Sequence, residues 1–62
     1  MKKLLSVPEL AGYLNISKNT VYSWVYMKQI PYYKVGRLVR FDIKEIDQWL
    51  GEKKQEAYPF QA

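Results

Sequence analysis

A break of only three residues, 15–17, separates two segments of this chain that both carry the apolar spacing typical of helices. A connection this short is typical of two helices that pack against each other at a steep angle. With 62 residues the chain forms one domain, and such a domain buries only about 60% of the surface that its unfolded chain exposes. The rest of the chain therefore has to complete one small core around this helix pair.

The first helix is predicted over residues 7–14 from signals at both of its ends. Ser6 and Glu9 match a capping box, in which the serine hydroxyl accepts from the glutamate amide and the carboxylate accepts from the serine amide. Pro8 is compatible with the first turn, because the amides there have no partner within the helix. Asn15 is suited to the left-handed conformation that ends many helices.

Ser17 is the predicted start of a second helix with two different faces. The face that we assign to the core consists of Val21, Trp24 and Val25. The other face has no aliphatic residue, and it carries Lys18, Asn19, Tyr22, Ser23 and Tyr26. Its cation, amide, hydroxyl and two phenols indicate a surface for a polar partner, with capping as the alternative role of the amide.

Two short strands, residues 32–35 and 39–41, are predicted around Gly36. The pairing register of the two strands follows if all of these apolar side chains face the core. Val35 must then oppose Val39, so that the core-facing residues are Tyr33, Val35, Val39 and Phe41. This requires a three-residue loop over 36–38. The same register leaves Lys34 and Arg40 on the outer face and Arg37 at the tip.

A third helix is predicted over residues 43–50, with Asp42 and Glu45 as a capping box and Gly51 as its stop. Its outer face carries more acid than base and would repel phosphate, so we interpret this helix as scaffold. Trp49, like Trp24, lies on an apolar stripe, and both are assigned to the core and not to stacking on bases.

The order helix-helix-strand-strand-helix predicts a mainly α fold with a small β-hairpin, which is the order of a winged helix-turn-helix. We expect residues 1–51 to form this domain. Residues 52–62 are expected to form a flexible C-terminal tail.

The chain contains neither cysteine nor histidine, which excludes thiolate nucleophiles, imidazole bases and nearly all zinc chemistry. The carboxylates lack the spacing of a calcium loop, and Glu9, Asp42 and Glu45 are explained by capping. We therefore expect no enzyme, no metal and no cofactor. No apolar run approaches the roughly 18 residues of a membrane span, so we expect a protein of the cytoplasm.

Charge is unevenly distributed along the chain. Residues 1–41 hold seven basic residues and one acid, for a net charge of +6, whereas residues 42–62 have a net charge of −2. A cationic region of this kind suits a polyanion, and nucleic acid is the natural hypothesis. Ordinary solvating charge is the alternative, and it applies to Lys18 as to any exposed lysine.

In a winged helix-turn-helix, the N-terminal half of the second helix enters the DNA major groove. Lysine can read guanine there and asparagine can read adenine, while an arginine on a wing suits a narrow minor groove. Cations beside these positions suit phosphates. We accordingly predict that double-stranded DNA contacts Ser17, Lys18, Asn19, Thr20, Tyr22, Ser23, Tyr26, Lys28, Lys34, Arg37 and Arg40.

Structural roles are the alternative for several of these residues. Tyr22 and Tyr26 would then be half-buried against the hairpin. Arg40 would form an ion pair with Glu45 or Asp47 in place of a phosphate contact.

Four segments, 17–24 (SKNTVYSW), 30–37 (IPYYKVGR), 39–41 (VRF) and 46–50 (IDQWL), together resemble the excisionase-type helix-turn-helix family, small winged-helix domains related to the MerR regulators. The resemblance covers about residues 4–50. It implies a bacterial, phage or mobile-element origin, a recognition helix at 18–26 and a wing around Arg37. Since the chain lacks the long dimerisation helix and effector domain of MerR regulators, we expect a monomer in free solution.

The resemblance implies two related functions. Members of this family act as recombination directionality factors, which bend DNA so that an integrase excises an element, or as small transcriptional regulators. Double-stranded DNA is then the partner, with an integrase or a neighbouring copy on DNA as further partners. The alternative from another class is a protein-interaction module that has lost DNA binding. RNA is disfavoured, because its major groove is too narrow for a recognition helix.

Overall fold

The computed structural model describes residues 3–54. Along the chain it contains β1 (Leu4–Leu5), α1 (Val7–Leu14), α2 (Lys18–Tyr26), β2 (Tyr33–Val35), β3 (Leu38–Asp42) and α3 (Ile43–Lys53). The predicted order of two helices, a hairpin and a covering helix is confirmed, and it is the order of a winged helix-turn-helix. None of the helices within residues 3–54 has the length and apolar character that crossing a bilayer requires.

Helix α1 begins and ends where its sequence signals placed it. The backbone N–H of Ser6 donates to Oε1 of Glu9 at 2.8 Å, and the backbone N–H of Glu9 donates to Oγ of Ser6 at 3.3 Å. Both hydrogen bonds of the capping box are therefore present. They satisfy two amides that the first turn of a helix leaves without a carbonyl partner.

The turn between α1 and α2 supplies hydrogen-bond donors to carbonyls in the last turn of α1. Asn15 adopts the left-handed conformation, with φ of 59° and ψ of 47°. Its N–H donates to the carbonyl of Gly12 at 3.2 Å, and the N–H of Ile16 donates to the carbonyl of Ala11 at 2.9 Å. This pair of hydrogen bonds is a Schellman motif. It turns the chain so that Ile16 packs against the core.

The β2–β3 hairpin has a two-residue loop, so the predicted three-residue loop is wrong. Tyr33 lies opposite Arg40, Lys34 opposite Val39 and Val35 opposite Leu38. The loop consists of Gly36 and Arg37, and Gly36 has a φ of 63°. Glycine with positive φ at the first loop position is the feature that a type II′ turn requires, and such turns match the twist of the paired strands.

This register changes which residues face the core, because residues directly opposite each other share a face of the ribbon. Lys34 lies on the face of Val39 and Arg40 on the face of Tyr33. The prediction that both cations share the outer face is therefore wrong. Val35, expected in the core, is 52% exposed. Tyr32 packs against the core in its place.

A short strand that was not predicted, β1, completes a three-stranded sheet in the order β1-β3-β2. Leu4 lies opposite Asp42 and Leu5 opposite Phe41, and the pairing is antiparallel. Strand β2 pairs with the first three residues of β3, and β1 pairs with the last two, Phe41 and Asp42. The middle strand thereby holds the hairpin to the start of the chain.

Helix α3 continues past its predicted end at residue 50 and includes Gly51. The carboxylate of Asp42 caps the helix by accepting from the N–H of Lys44 at 3.2 Å. The carboxylate of Glu45, expected to complete a capping box, accepts from the Tyr33 hydroxyl at 2.6 Å. Of the expected tail, residues 52 and 53 belong to α3, and residues 55–62 lie outside the described residues.

The core draws three residues from α1 and one each from α2, β3, α3 and the segment between α2 and β2. Within the described part of the chain, its buried members are Val7, Leu10, Ala11, Val21, Ile30, Phe41 and Ile46. Trp24 and Trp49 pack against it, as predicted, with their rings edge to face and their centroids 5.4 Å apart. This core fixes the angle between the two helices and the hairpin, and so fixes the surface that they present outward.

Candidate nucleic-acid interface

Helix α2 turns one face to the core and leaves the other open. Val21 is fully buried, and Trp24 and Val25 are half-buried. Because each residue of a helix is rotated by about 100° from the one before it, the residues on the opposite face of α2 point outward. The exposed residues of that face are Lys18, Asn19, Tyr22, Ser23 and Tyr26, as predicted. Tyr26 is 87% exposed, so it is not half-buried against the hairpin, whereas Tyr22 is 53% exposed and lies beside the hairpin, close to the alternative weighed for it.

The start of α2 is held by two side chains. The Ser17 Oγ accepts from the backbone N–H of Thr20 at 3.2 Å and lies 2.9 Å from the Thr20 Oγ1. The amides of Lys18 and Asn19 precede this capped amide in the first turn, where a helix offers them no internal acceptor. Together with the positive end of the helix dipole, such amides favour an anion.

A groove runs between α2 and the wing, which we define as residues 33–42. Tyr22 lines it from the helix, and Arg37 and Arg40 line it from the wing. The structure thus brings Tyr22 together with two predicted contact residues that lie 15 and 18 positions later in the chain. The other residues lining the groove are Ser6, Val7, Pro8, Leu38 and Val39.

Arg40 is half-buried, and its Nη1 donates to the carbonyl of Val39 at 2.8 Å. The acids proposed as its alternative partners have other bonds: Glu45 accepts from Tyr33, and Asp47 accepts from the hydroxyl of Tyr13. Among the described residues, no ion pair between Arg40 and either acid is formed. Its guanidinium therefore remains available to an anion in the groove.

Hydrogen bonds are the largest cause of the pKa shifts of Glu9 and Tyr13. The N–H and hydroxyl of Ser6 hold the pKa of Glu9 below its ordinary value, with smaller contributions from Lys3 and Arg40. The hydrogen bond to Asp47 raises the pKa of the Tyr13 hydroxyl. Glu9 is therefore a carboxylate at neutral pH and Tyr13 a neutral phenol. Two acids of α3, Glu45 and Asp47, accept hydrogen bonds from phenols.

The remaining predicted contact residues are separated. Lys34 is exposed on the Val39 face of the ribbon, opposite to the face that carries Arg40. Lys28 is exposed just after α2 and adopts a left-handed backbone, with φ of 57°. Its N–H donates to the carbonyl of Val25 at 3.0 Å, and the N–H of Gln29 donates to that of Trp24 at 2.8 Å. Lys28 therefore occupies the position of a helix-ending glycine.

Sequence reasoning missed part of the groove. Ser6 and Pro8 were assigned only to the start of α1, and Leu38 was assigned to a loop that does not form. In the structure all three line the groove beside Tyr22. No local signal marks them, because their position depends on how α1, α2 and the wing pack together. Leu38 would have been found from the two-residue loop at Gly36.

Comparison with known proteins identifies the family. The family model described as a helix-turn-helix domain matches residues 4–54, which is most of the chain. No curated protein and no solved structure matches the chain significantly. Domains of this kind are typically not enzymes. The capped helix pair, the exposed face of α2 and the matched range agree, and the chain belongs to the helix-turn-helix domain family and is a DNA-binding protein.

Proposed function

We propose that this chain is an excisionase-type recombination directionality factor, which reads a specific DNA sequence and bends the duplex for an integrase. The observation that carries the proposal is the groove in which Tyr22 of α2 meets Arg37 and Arg40 of the wing. A duplex that contacts both α2 and the wing is bound at two adjacent positions. The resemblance of residues 17–24 and 30–37 to excisionase-type domains supports this function and a bacterial, phage or mobile-element origin.

In this proposal the first two turns of α2 enter the major groove. Lys18 reads a guanine through O6 and N7, and Asn19 reads an adenine through N6 and N7, because these are the pairings that their donors and acceptors fit. Ser17 and Thr20 lie at the capped end and approach a phosphate. Tyr22 and Ser23 lie one turn further along, where Tyr22 also faces the wing.

The wing and the end of α2 complete the contact. Arg37, exposed in the two-residue loop, enters the adjacent minor groove, whose negative potential attracts arginine. Arg40 binds the phosphate that passes through the groove between helix and wing. Lys34, Tyr26 and Lys28 contact phosphates on either side, where they position the protein and carry no sequence information.

The chain acts by binding alone in this proposal, in the cytoplasm of its host. It is a monomer in free solution and meets an integrase or a neighbouring copy on DNA. A small transcriptional regulator would use the same helix and wing. The two functions differ in what the bound DNA does next, which a binding experiment extended to bending can separate.

The first test is a titration of the full chain with a duplex from the neighbourhood of its own gene and with a scrambled duplex, across a salt series. We expect the native duplex to bind tighter by on the order of a hundredfold or more. Affinity should fall roughly a thousandfold between about 50 and 200 mM salt if about six phosphates are neutralised. Equal and weak binding to both duplexes would contradict sequence reading and favour a protein-interaction module.

Single variants then separate base reading from phosphate binding. Asn19→Ala should lose about 1–3 kcal/mol of discrimination at one adenine, whereas Lys34→Ala should weaken all duplexes alike and lower the salt slope by about one. Lys44→Ala is the matched control, because Lys44 is an exposed lysine on α3, outside the proposed contact surface. A loss of affinity in Lys44→Ala equal to that in Lys34→Ala would refute the assigned surface.

Bending separates the directionality factor from a regulator that only occupies its site. Energy transfer between dyes at the two ends of the native duplex should rise when the protein binds, because bending shortens the end-to-end distance. An integrase encoded nearby should then excise only when the protein is present. Specific binding with no change in energy transfer and no effect on excision would favour the transcriptional regulator.

A further inference from the structure

The tip of the wing carries two apolar side chains that the folded residues 3–54 leave about half exposed. Val35 and Leu38 lie opposite each other, directly before and directly after the two-residue loop. Val35 is 52% and Leu38 is 53% exposed. Residues directly opposite each other share a face of the ribbon, so these two side chains form one apolar pair beside the loop, which we call the tip pair.

The tip pair lies next to cations. Arg37 is the second residue of the loop, and its side chain is exposed. Leu38 lines the groove between α2 and the wing together with Arg37 and Arg40. The surface assigned to DNA therefore includes a leucine that lies in sequence directly after the arginine of the loop. Arginines suit phosphates and the negative potential of a narrow minor groove, whereas the leucine requires an apolar partner.

The dimensions of the wing restrict how its tip can enter DNA. Two paired strands lie about 4.8 Å apart, and their side chains add to this width. The minor groove of B-form DNA is only about 6 Å wide. A loop that carries Arg37 into this groove brings Leu38, the next residue, against the sugars and base edges. The groove must therefore widen to admit both side chains.

Insertion of an apolar side chain is one way in which proteins widen a minor groove. A leucine placed between two base pairs partly unstacks them and kinks the duplex by about 20–90°. We propose that Leu38 is such a wedge, which enters a base step in the minor groove beside Arg37 while Val35 contacts the adjacent sugars. This inference rests on the proposed function, and it assigns the bend included there to one side chain. Pyrimidine–purine steps, such as TA and CA, unstack most easily and are the expected site.

Unstacking can be measured separately from affinity and bending. The native duplex with dyes at its two ends carries 2-aminopurine in place of adenine at each pyrimidine–purine step in turn, and the fluorescence of this base rises when it is unstacked. The wild type should raise the fluorescence at one step and should also raise energy transfer between the dyes. Leu38→Ser should abolish the first signal and lose more than about half of the second. Its salt slope should match that of the wild type, because leucine displaces no counterion.

Two further variants distinguish a wedge from a general loss of stability. Leu38→Met keeps a long apolar side chain of a kind that other proteins insert between bases, and it should retain both signals. Leu50→Ser removes a leucine that is 37% exposed on α3, outside the proposed contact surface, and it should retain both signals as well. Loss of both signals in Leu50→Ser would attribute the effect to stability and overturn the wedge.

The remaining outcomes separate this inference from the proposed function. If the wild type binds and bends the native duplex and Leu38→Ser gives the same two signals, the wedge is overturned and the proposed function stands. The wedge is also overturned if Leu38→Ser changes only the cooperativity between successive copies on the duplex, because the tip pair is then a protein contact. If the wild type binds no duplex specifically, the proposed function fails and the wedge fails with it.

Discussion

Within residues 3–54, two residues other than glycine adopt a left-handed backbone, and they differ in how well their side chains suit it. Asn15, with φ of 59°, has a short polar side chain that tolerates this conformation. Lys28, with φ of 57°, has no such feature. A residue held in an unfavourable conformation is an indication of function when its side chain is exposed, as that of Lys28 is.

Replacement of Lys28 by glycine should therefore separate stability from binding. Lys28→Gly relieves the left-handed strain, and after allowance for the greater freedom of glycine in the unfolded chain we expect a gain of about 0.5–1 kcal/mol in the free energy of unfolding. Removal of the ammonium should weaken binding to DNA. Urea denaturation and titration with the native duplex measure the two effects.

The corresponding control is Asn15→Gly, which should change the free energy of unfolding by less than about 0.5 kcal/mol. It should leave DNA affinity unchanged. If Lys28→Gly gains stability and binds DNA as well as the wild type, the conformation of Lys28 has no connection with DNA binding.

At the scale of elements, the helices were predicted well where their ends depend on residues three positions apart. Ser6 with Glu9 and Ser17 with Thr20 form their bonds within one turn, so the sequence alone contains both partners. The end of α3 was predicted wrongly because glycine favours a helix stop but does not enforce one. Gly51 lies inside the last turn of α3.

Gly51→Ala tests this position by the sign of its effect. A Cβ on Gly51 would meet nothing within 4 Å, and its φ is not positive. Alanine should therefore stabilise the helix, and we expect the free energy of unfolding to rise by about 0.5–1 kcal/mol. Gly36→Ala, at a φ of 63°, should lower it. A destabilised Gly51→Ala variant would mean that the helix ends at Gly51 after all.

The hairpin was predicted in place but not in register. Reasoning from apolarity grouped Val35 with Phe41, yet the register is determined by the two-residue turn at Gly36 and by the packing of Tyr32. Strand β1 escaped prediction altogether, because its two residues pair with β3 about 37 positions away. Pairing at that distance leaves no periodic pattern in so short a segment.

At the scale of the whole molecule, stability depends on few side chains. A chain of 62 residues is stable by about 3–9 kcal/mol if each residue contributes roughly 0.05–0.15 kcal/mol. Phe41 and Ile46 are fully buried, one in the central strand and the other in α3. Each therefore represents a large fraction of the core.

Core and surface substitutions should differ accordingly. Phe41→Ala should cost about 3–5 kcal/mol and leave much of the population unfolded at 25 °C, and Ile46→Val should cost about 0.5–1.5 kcal/mol. Val35→Ala, on the exposed side of the hairpin, should change the free energy of unfolding by no more than about 0.5 kcal/mol. Circular dichroism during urea denaturation measures all three. A loss of more than about 1 kcal/mol in Val35→Ala would contradict the register.

As with the fold, one part of the candidate site was predictable from the sequence and another part was not. The exposed face of α2 was predictable, because Lys18, Tyr22 and Tyr26 repeat at helical spacing. The groove was not, because it depends on three elements that meet only after folding. Whether the predicted residues contact DNA stays a prediction that the duplex titrations test.

Strand β3 ends at Asp42 and α3 begins at Ile43, so no connecting residue separates the wing from the helix that covers the core. Asp42 belongs to both: it pairs with Leu4 in the sheet and caps the amide of Lys44. On this side the wing therefore joins α3 without a hinge residue, and we expect it to keep a fixed orientation relative to α3. In the proposed complex, a duplex that contacts both α2 and the wing must match the distance between them, so we expect the DNA to deform and the protein to keep its shape.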